Sequence, residues 1–218
     1  LESFFRRVKE VEHKKLTLVV ERNNGYNYVY SLNIFADEAT HKEENYRVVE
    51  RIVKTILWIA GGYKIIISGS EQIYQQLKEE YHATGVRAFD ADFMSNIYEQ
   101  PFEVVLASED MLPKLKEEHI VINDNLEGCR IGFDAGGSDR KVSAVVNGEV
   151  IFSTETVWNP KITADPNYHY QNILSSMQLA ASKMPRVDAI GISSAGIYID
   201  NIVRAASLFF KVSPEDFD

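Results

Sequence analysis

The sequence predicts an α/β protein made of two consecutive units, and three observations predict it. Two turn signals, Asn24-Gly25 and Asn147-Gly148, each join runs rich in β-branched and aromatic residues. After each strand set the apolar residues change from a period of two to helical spacing. A polar, glycine-ended segment at residues 124–128 separates the first set from the second, so the expected domains are 1–125 and 126–218.

In the first unit, residues 16–21 (LTLVVE) and 26–35 (YNYVYSLNIF) read as a hairpin about Asn24-Gly25. From about Lys42 the sequence reads as a helix. Val48, Val49, Ile52, Val53, Ile56 and Leu57 form one stripe, which should face the sheet, and Gly61-Gly62 stops it. Residues 63–67 read as a buried strand. Ile73, Leu77 and Tyr81, at four-residue spacing, read as a further helix, closed by Gly85. Beyond it, residues 102–106 (FEVVL) suggest a strand and residues 112–118 a short charged helix.

The second unit opens with residues 130–134 and 141–146 as strands, joined through Gly136-Gly137. The Asn147-Gly148 turn then leads into a third strand at 149–156, completing an antiparallel meander. Residues 167–183 follow as a helix with Ile173, Leu174, Met177, Ala180 and Ala181 apolar, stopped by Pro185. Residues 187–192 should form a fourth strand in the same sheet, beside the first, with a small-residue loop Ser193-Ser194-Ala195-Gly196 after it.

Composition narrows the function. The 218 residues carry 32 Asp and Glu against 23 Lys and Arg, a formal charge of −9, which argues against nucleic acid as the main partner. Cys129 is the only cysteine, so a disulfide within the chain and a thiolate zinc site are excluded, and a reducing cytoplasm is the expected compartment. No apolar run approaches a membrane span. The chain begins at Leu1 rather than Met, with no signal-like segment after it, and reads as trimmed at its start.

The most informative stretch is Ile131-Gly132-Phe133-Asp134-Ala135-Gly136-Gly137-Ser138-Asp139-Arg140-Lys141. Glycines at a strand tip let a polyphosphate approach the backbone, and a positive φ is expected at Gly137. Asp134 can hold a hydrated divalent cation and Ser138 can donate to a phosphate oxygen. Lys141 reads either as a phosphate contact or as a solvated strand residue. Gly-Gly is also a common two-residue hairpin turn, so a plain turn stands beside the phosphate reading.

The order of residues 128–210, with Asp134, Gly136, Gly137 and Ser138 in the first hairpin and Ser193, Ser194, Ala195 and Gly196 after the fourth strand, resembles the ribonuclease-H-like lobe of the actin-like ATPase and sugar kinase superfamily. Residues 187–200 (VDAIGISSAGIYID) are similar to a glycine-bearing stretch of its bacterial ROK (repressor, open reading frame, kinase) branch. The resemblance implies an ATP-dependent, Mg²⁺-assisted sugar kinase. Asp134, Gly136, Gly137, Ser138 and Lys141 would hold the nucleotide, Asp134 the metal, and Ser193, Ser194 and Gly196 the sugar.

Two departures accompany it: Ser138 stands where threonine is usual, and Ala195-Gly196 where Pro-Gly is common. The family's zinc cluster has no counterpart, and its general-base aspartate belongs to a segment beyond Asp218. The nucleotide in this superfamily sits between two lobes, so a second lobe or a second copy of the chain is the expected partner. A non-catalytic sugar- or nucleotide-binding regulator, or an ATPase switch of the same fold, is the alternative. Residues 61–71 carry a weaker similarity to the strand, glycine turn and helix that contact adenosine in these proteins. Ser193 and Ser194 could equally cap a following helix. The histidines show no metal spacing and read as surface or locally bonded residues, Trp158, Tyr168 and Tyr170 as packing around His169, and Asp90, Asp92 and Asp124 as solvated.

Overall fold

The computed structural model describes residues 1–117 and 126–216 and divides into two compact units, Leu1–Ile120 and Val121–Asp218. Both are mixed α/β. Part of the expected boundary, Asp124 and Asn125, lies outside the described residues, as do His119 and Glu118.

The first unit is built on a four-stranded sheet in the order β2-β1-β3-β4, from β1 (His13–Glu21), β2 (Asn27–Phe35), β3 (Lys64–Ser68) and β4 (Glu103–Leu106). β1 pairs antiparallel with both β2 and β3, and β3 runs parallel to β4. A central strand is covered on both faces, and five consecutive residues of β1, Leu16 to Val20, are buried accordingly. Asn24 and Gly25 adopt φ of 61° and 73°, the left-handed pair that a tight β1–β2 connection demands.

The amphipathic stripe becomes α2 (Glu38–Ile59), with the Asp37 carboxylate accepting from Thr40 N–H as its N-cap. Val49, Ile52, Val53 and Ile56 are all buried, as the spacing requires. Asn45, fully buried on this helix, both donates to the Phe35 carbonyl at 3.0 Å and accepts from Phe35 N–H at 3.1 Å, and so fastens the end of β2 to the helix. Gly69 and Ser70 have a structural explanation. A Cβ at Gly69 would stand 2.3 Å from the Lys15 carbonyl oxygen, and Ser70 Oγ caps α3 (Glu71–Glu80) by accepting from Ile73 N–H.

Three features depart from the sequence reading. Helices α1 (Glu2–Lys9) and α4 (Ala88–Tyr98) were not anticipated. Residues 112–117 are not helical. Pro113 interrupts the expected helix, and buried Asn27 holds the segment by donating to the Lys114 carbonyl and accepting from Lys116 N–H. Asp90 is buried rather than solvated. Trp58 Nε1 donates to it at 2.7 Å and Lys54 Nζ at 3.2 Å, which satisfies the carboxylate away from water.

The second unit holds the meander β5 (Cys129–Ala135), β6 (Asp139–Val146) and β7 (Glu149–Val157), then α5 (Pro166–Ala181) and β8 (Ala189–Ser194). The sheet order is β7-β6-β5-β8, with β8 parallel to β5 and the other neighbours antiparallel. Cys129, Ile131, Phe133 and Ala135 point to one face, where they cluster with Val142, Ala144, Trp158, Ala180 and Leu208. Alternation therefore sends Arg130, Gly132 and Asp134 to the other face. A small separate hairpin, β9 (Ile197–Ile199) and β10 (Ile202–Ala205), turns at Asp200-Asn201 with φ of 52° and 65°. No helix follows Ser193 and Ser194, so neither is a cap.

His169 is buried, not at the surface. Its Nδ1 lies 3.1 Å from the Asp165 carbonyl and its Nε2 3.1 Å from both the Pro160 and Leu208 carbonyls, while its ring meets Trp158, Tyr168 and Phe209. At the opposite end of the sheet, Asp188 accepts from Cys129 N–H at 2.8 Å and from Arg186 Nε at 2.7 Å, joining the starts of β5 and β8. The Arg186 hydrogen bond first, and then the Cys129 amide, hold the Asp188 carboxyl below the ordinary aspartate range. A carboxyl depressed in the folded state stabilises above its unfolded pKa, and that contribution is lost as pH falls through the folded value. Acid titration of urea stability should therefore show a smaller loss below about pH 4 for Asp188→Asn than for wild type. Identical acid limbs would mean that the ion pair contributes nothing.

Candidate functional site

Strand register decides which of the predicted residues meet. Asp134 lies opposite Lys141 on β6 and opposite Ser193 on β8, and Lys141 lies opposite Glu155 on β7. Directly paired residues point to the same face, so Glu155, Lys141, Asp134 and Ser193 form one row across the sheet, away from the α5 side. The next row on that face is Ser153, Ser143, Gly132 and Gly191. All of them except Glu155 line an open hollow of about 420 Å³, with Asp134, Lys141, Ser143, Ser153 and Ser193 as its polar side chains. Glycine at 132 keeps the floor low, since a Cβ there would sit 2.9 Å from Ser143 Oγ.

Ser194 and Gly196 do not join this row. Ser194 pairs with buried Ala135 and so belongs to the core face, and Gly196 lies past the strand end. A Cβ on Gly196 would stand 2.6 Å from the Ala205 carbonyl oxygen, so this glycine is required by the β9–β10 hairpin beside it.

The hairpin tip is also built differently from a two-residue glycine turn. Residues 136–138 all lie between β5 and β6, and neither Gly136 nor Gly137 has a positive φ. Gly136 is needed for close approach instead: a Cβ would meet the Asp139 carbonyl oxygen at 2.5 Å. At Gly137 a Cβ would meet Lys161 Nζ at 2.6 Å, which places a lysine from the Pro160–Ile162 turn against the hairpin. Sequence reasoning missed Lys161, because nothing near the motif points to a residue on the far side of β7.

Trp158 anchors the tip. Its indole Nε1 donates to the Gly136 carbonyl at 2.8 Å and its backbone N–H to the Ser138 carbonyl at 3.1 Å. Ser138 itself is exposed, and its hydroxyl lies 3.4 Å from Asp139 Oδ2. Lys141 Nζ donates to Asp139 Oδ1 at 3.0 Å, with Glu155 Oε2 at 4.0 Å. These contacts move both groups: the Asp139 hydrogen bond raises the Lys141 ammonium above its usual range, and Lys141 lowers the Asp139 carboxyl. Among the described residues no donor is hydrogen-bonded to the Asp134 carboxylate, which is half-buried at the centre of the row.

The donor set suits a hydrated metal–phosphate rather than an all-protein metal cage. No group of three or more His, Cys, Asp or Glu able to hold a metal occurs among the described residues. Mg²⁺ keeps several waters and takes one or two carboxylates plus phosphate oxygens, which one carboxylate in a hollow with Lys141 and the hydroxyls of Ser143, Ser153 and Ser193 can accommodate. Compared with protein-family models and with curated proteins, the chain finds no match. No helix among the described residues is long and apolar enough to cross a membrane.

Proposed function

We propose that the polar face of the second unit binds Mg²⁺-ATP and belongs to an ATP-dependent kinase acting on a sugar hydroxyl, with a ribonuclease-H-like lobe of the ROK type. One observation carries the reading. Asp134, Lys141 and Ser193 come from three different strands to one row, beside a hairpin tip where Lys161 packs against Gly137 and adds a second cation. In this reading Asp134 would hold Mg²⁺ through its bound water, and the cation would supply charge neutralisation to the phosphates. Lys141 and Lys161 face the polyphosphate oxygens, Ser138 donates to one of them, and Ser193 donates to the sugar or the phosphate. The γ-phosphoryl group moves to the sugar oxygen, ADP leaves, and the hydroxyl proton passes to a base.

A specific feature favours the second reading, a binding-only regulator or ATPase switch. Asp134 is the one carboxylate among the described residues lining the hollow, and it is committed to the metal, so these residues handle phosphate and metal without a separate proton acceptor.

Calorimetric titration of the full chain with ATP, with and without Mg²⁺, together with a hexose phosphorylation assay, tests both. Saturable Mg²⁺-dependent binding with phosphorylated sugar supports the kinase. Binding without product supports the regulator, and no ATP binding overturns both.

A further inference from the structure

In the first unit, α2 carries Arg47, Glu50, Arg51, Lys54 and Trp58 along one face. With Arg87, just before α4, they line a groove of about 680 Å³. Four cations meet two carboxylates here. Arg87 Nε donates to Glu50 at 2.6 Å and Lys54 Nζ to Asp90 at 3.2 Å, so those two charges are matched. Arg47 and Arg51 are exposed, one helical turn apart, and among the described residues no carboxylate pairs with either side chain. Like charges at that spacing repel and weaken a helix, and this chain has more acidic than basic residues, 32 against 23. A groove with excess positive charge therefore runs against both local and overall preference.

The aromatic wall is a second, independent feature. Trp58 is 45 % exposed, yet it is not free to rotate. Its indole N–H donates at 2.7 Å to Asp90, a carboxylate only 3 % exposed, and Phe93 stacks on it at 5.2 Å and 15°. Phe89, 68 % exposed, stacks on both Phe93, at 5.8 Å, and Trp58, at 6.4 Å, so the three rings form one aromatic patch. A buried anion thus fixes an exposed indole in the same groove as two unmatched guanidinium forks, seven and eleven residues back along α2. Those forks suit a phosphate dianion, and a fixed aromatic surface suits the flat face of an organic ring.

We propose that this groove binds a phosphomonoester whose ring stacks on Trp58 while Arg47 and Arg51 hold the phosphate. The body is either the apolar face of a sugar or a nucleotide base, which share this chemistry. The site stands on the first unit alone and is independent of the ATP reading.

Calorimetry of the full chain in EDTA, which removes the metal needed at the other site, distinguishes the possibilities. The probes are glucose 6-phosphate with glucose, AMP with adenosine, and inorganic phosphate. One phosphomonoester should bind more tightly than both its dephosphorylated partner and inorganic phosphate, and the tighter of glucose 6-phosphate and AMP identifies the body. Arg47→Ser/Arg51→Ser, both exposed and safe for folding, should weaken that binding about tenfold or more, whereas Asp134→Ala should leave it unchanged. Trp58→Ala should weaken the organic phosphates and not inorganic phosphate. Equal affinity for inorganic and organic phosphate, no effect of the double arginine variant, or no binding of either probe would each overturn the proposal.

Discussion

Asp134→Ala is expected to abolish Mg²⁺-dependent ATP binding by the full chain while costing less than about 1 kcal/mol of folding stability. The carboxylate lies on the polar face of β5, away from the apolar cluster under α5, so its removal opens no cavity in the core. Asp134→Asn keeps the shape and removes the charge, and it should also lose most of the Mg²⁺-dependent binding, because a neutral amide attracts a hydrated dication far less than a carboxylate does. Ser193→Ala, at the next position of the row, deletes one neutral hydrogen bond and should weaken binding by no more than about tenfold. Calorimetry with and without Mg²⁺ reads all three. Unchanged affinity in both Asp134 variants would return Asp134-Ala135-Gly136-Gly137 to a plain hairpin and remove the main support for the kinase.

Trp158→Ala is expected to have the largest effect on stability, about 3–5 kcal/mol, read by urea unfolding of the second unit. The side chain is 2 % exposed and belongs to the apolar cluster. Its ring lies under the Arg140 guanidinium at 5.8 Å and its edge meets His169. Trp158→Phe retains most of that packing but leaves the Gly136 carbonyl without its indole donor. This variant should stay folded and still bind ATP more weakly, since the tip is then held only by the backbone bond to Ser138. A phenylalanine variant with wild-type nucleotide affinity would separate the tryptophan from the site.

How far the sequence was readable depended on whether the decisive neighbours were local. The strands of the meander and α2 follow from period and turn chemistry, and those same alternations put Asp134 and Ser193 on one face once β8 extends to Ser194. The positive φ expected at Gly137 is not found. Neither Gly136 nor Gly137 is left-handed, and what excludes a side chain at 136 is the Asp139 carbonyl, a contact set by the three-residue connection. α4 escaped notice because its interior includes Asp90, which periodicity scores as solvent-facing and which burial beside Lys54 and Trp58 explains. The charged residues 112–117 read as helical until Asn27, far away in sequence, is seen to take their backbone groups. Lys161 and the buried His169 depend on tertiary placement alone.

The parallel pairing of β5 with β8 also sets an order in time. Asp134 and Lys141 belong to one hairpin, whose closure is a microsecond event. Ser193 reaches them through the long β7–α5 connection, and non-local parallel pairings of this kind form slowly, because a long loop must close before any contact rewards it. While the chain is being synthesised, the acidic and basic members of the row emerge before the hydroxyl does. A site that needs Ser193 is therefore complete only once β8 has paired with β5.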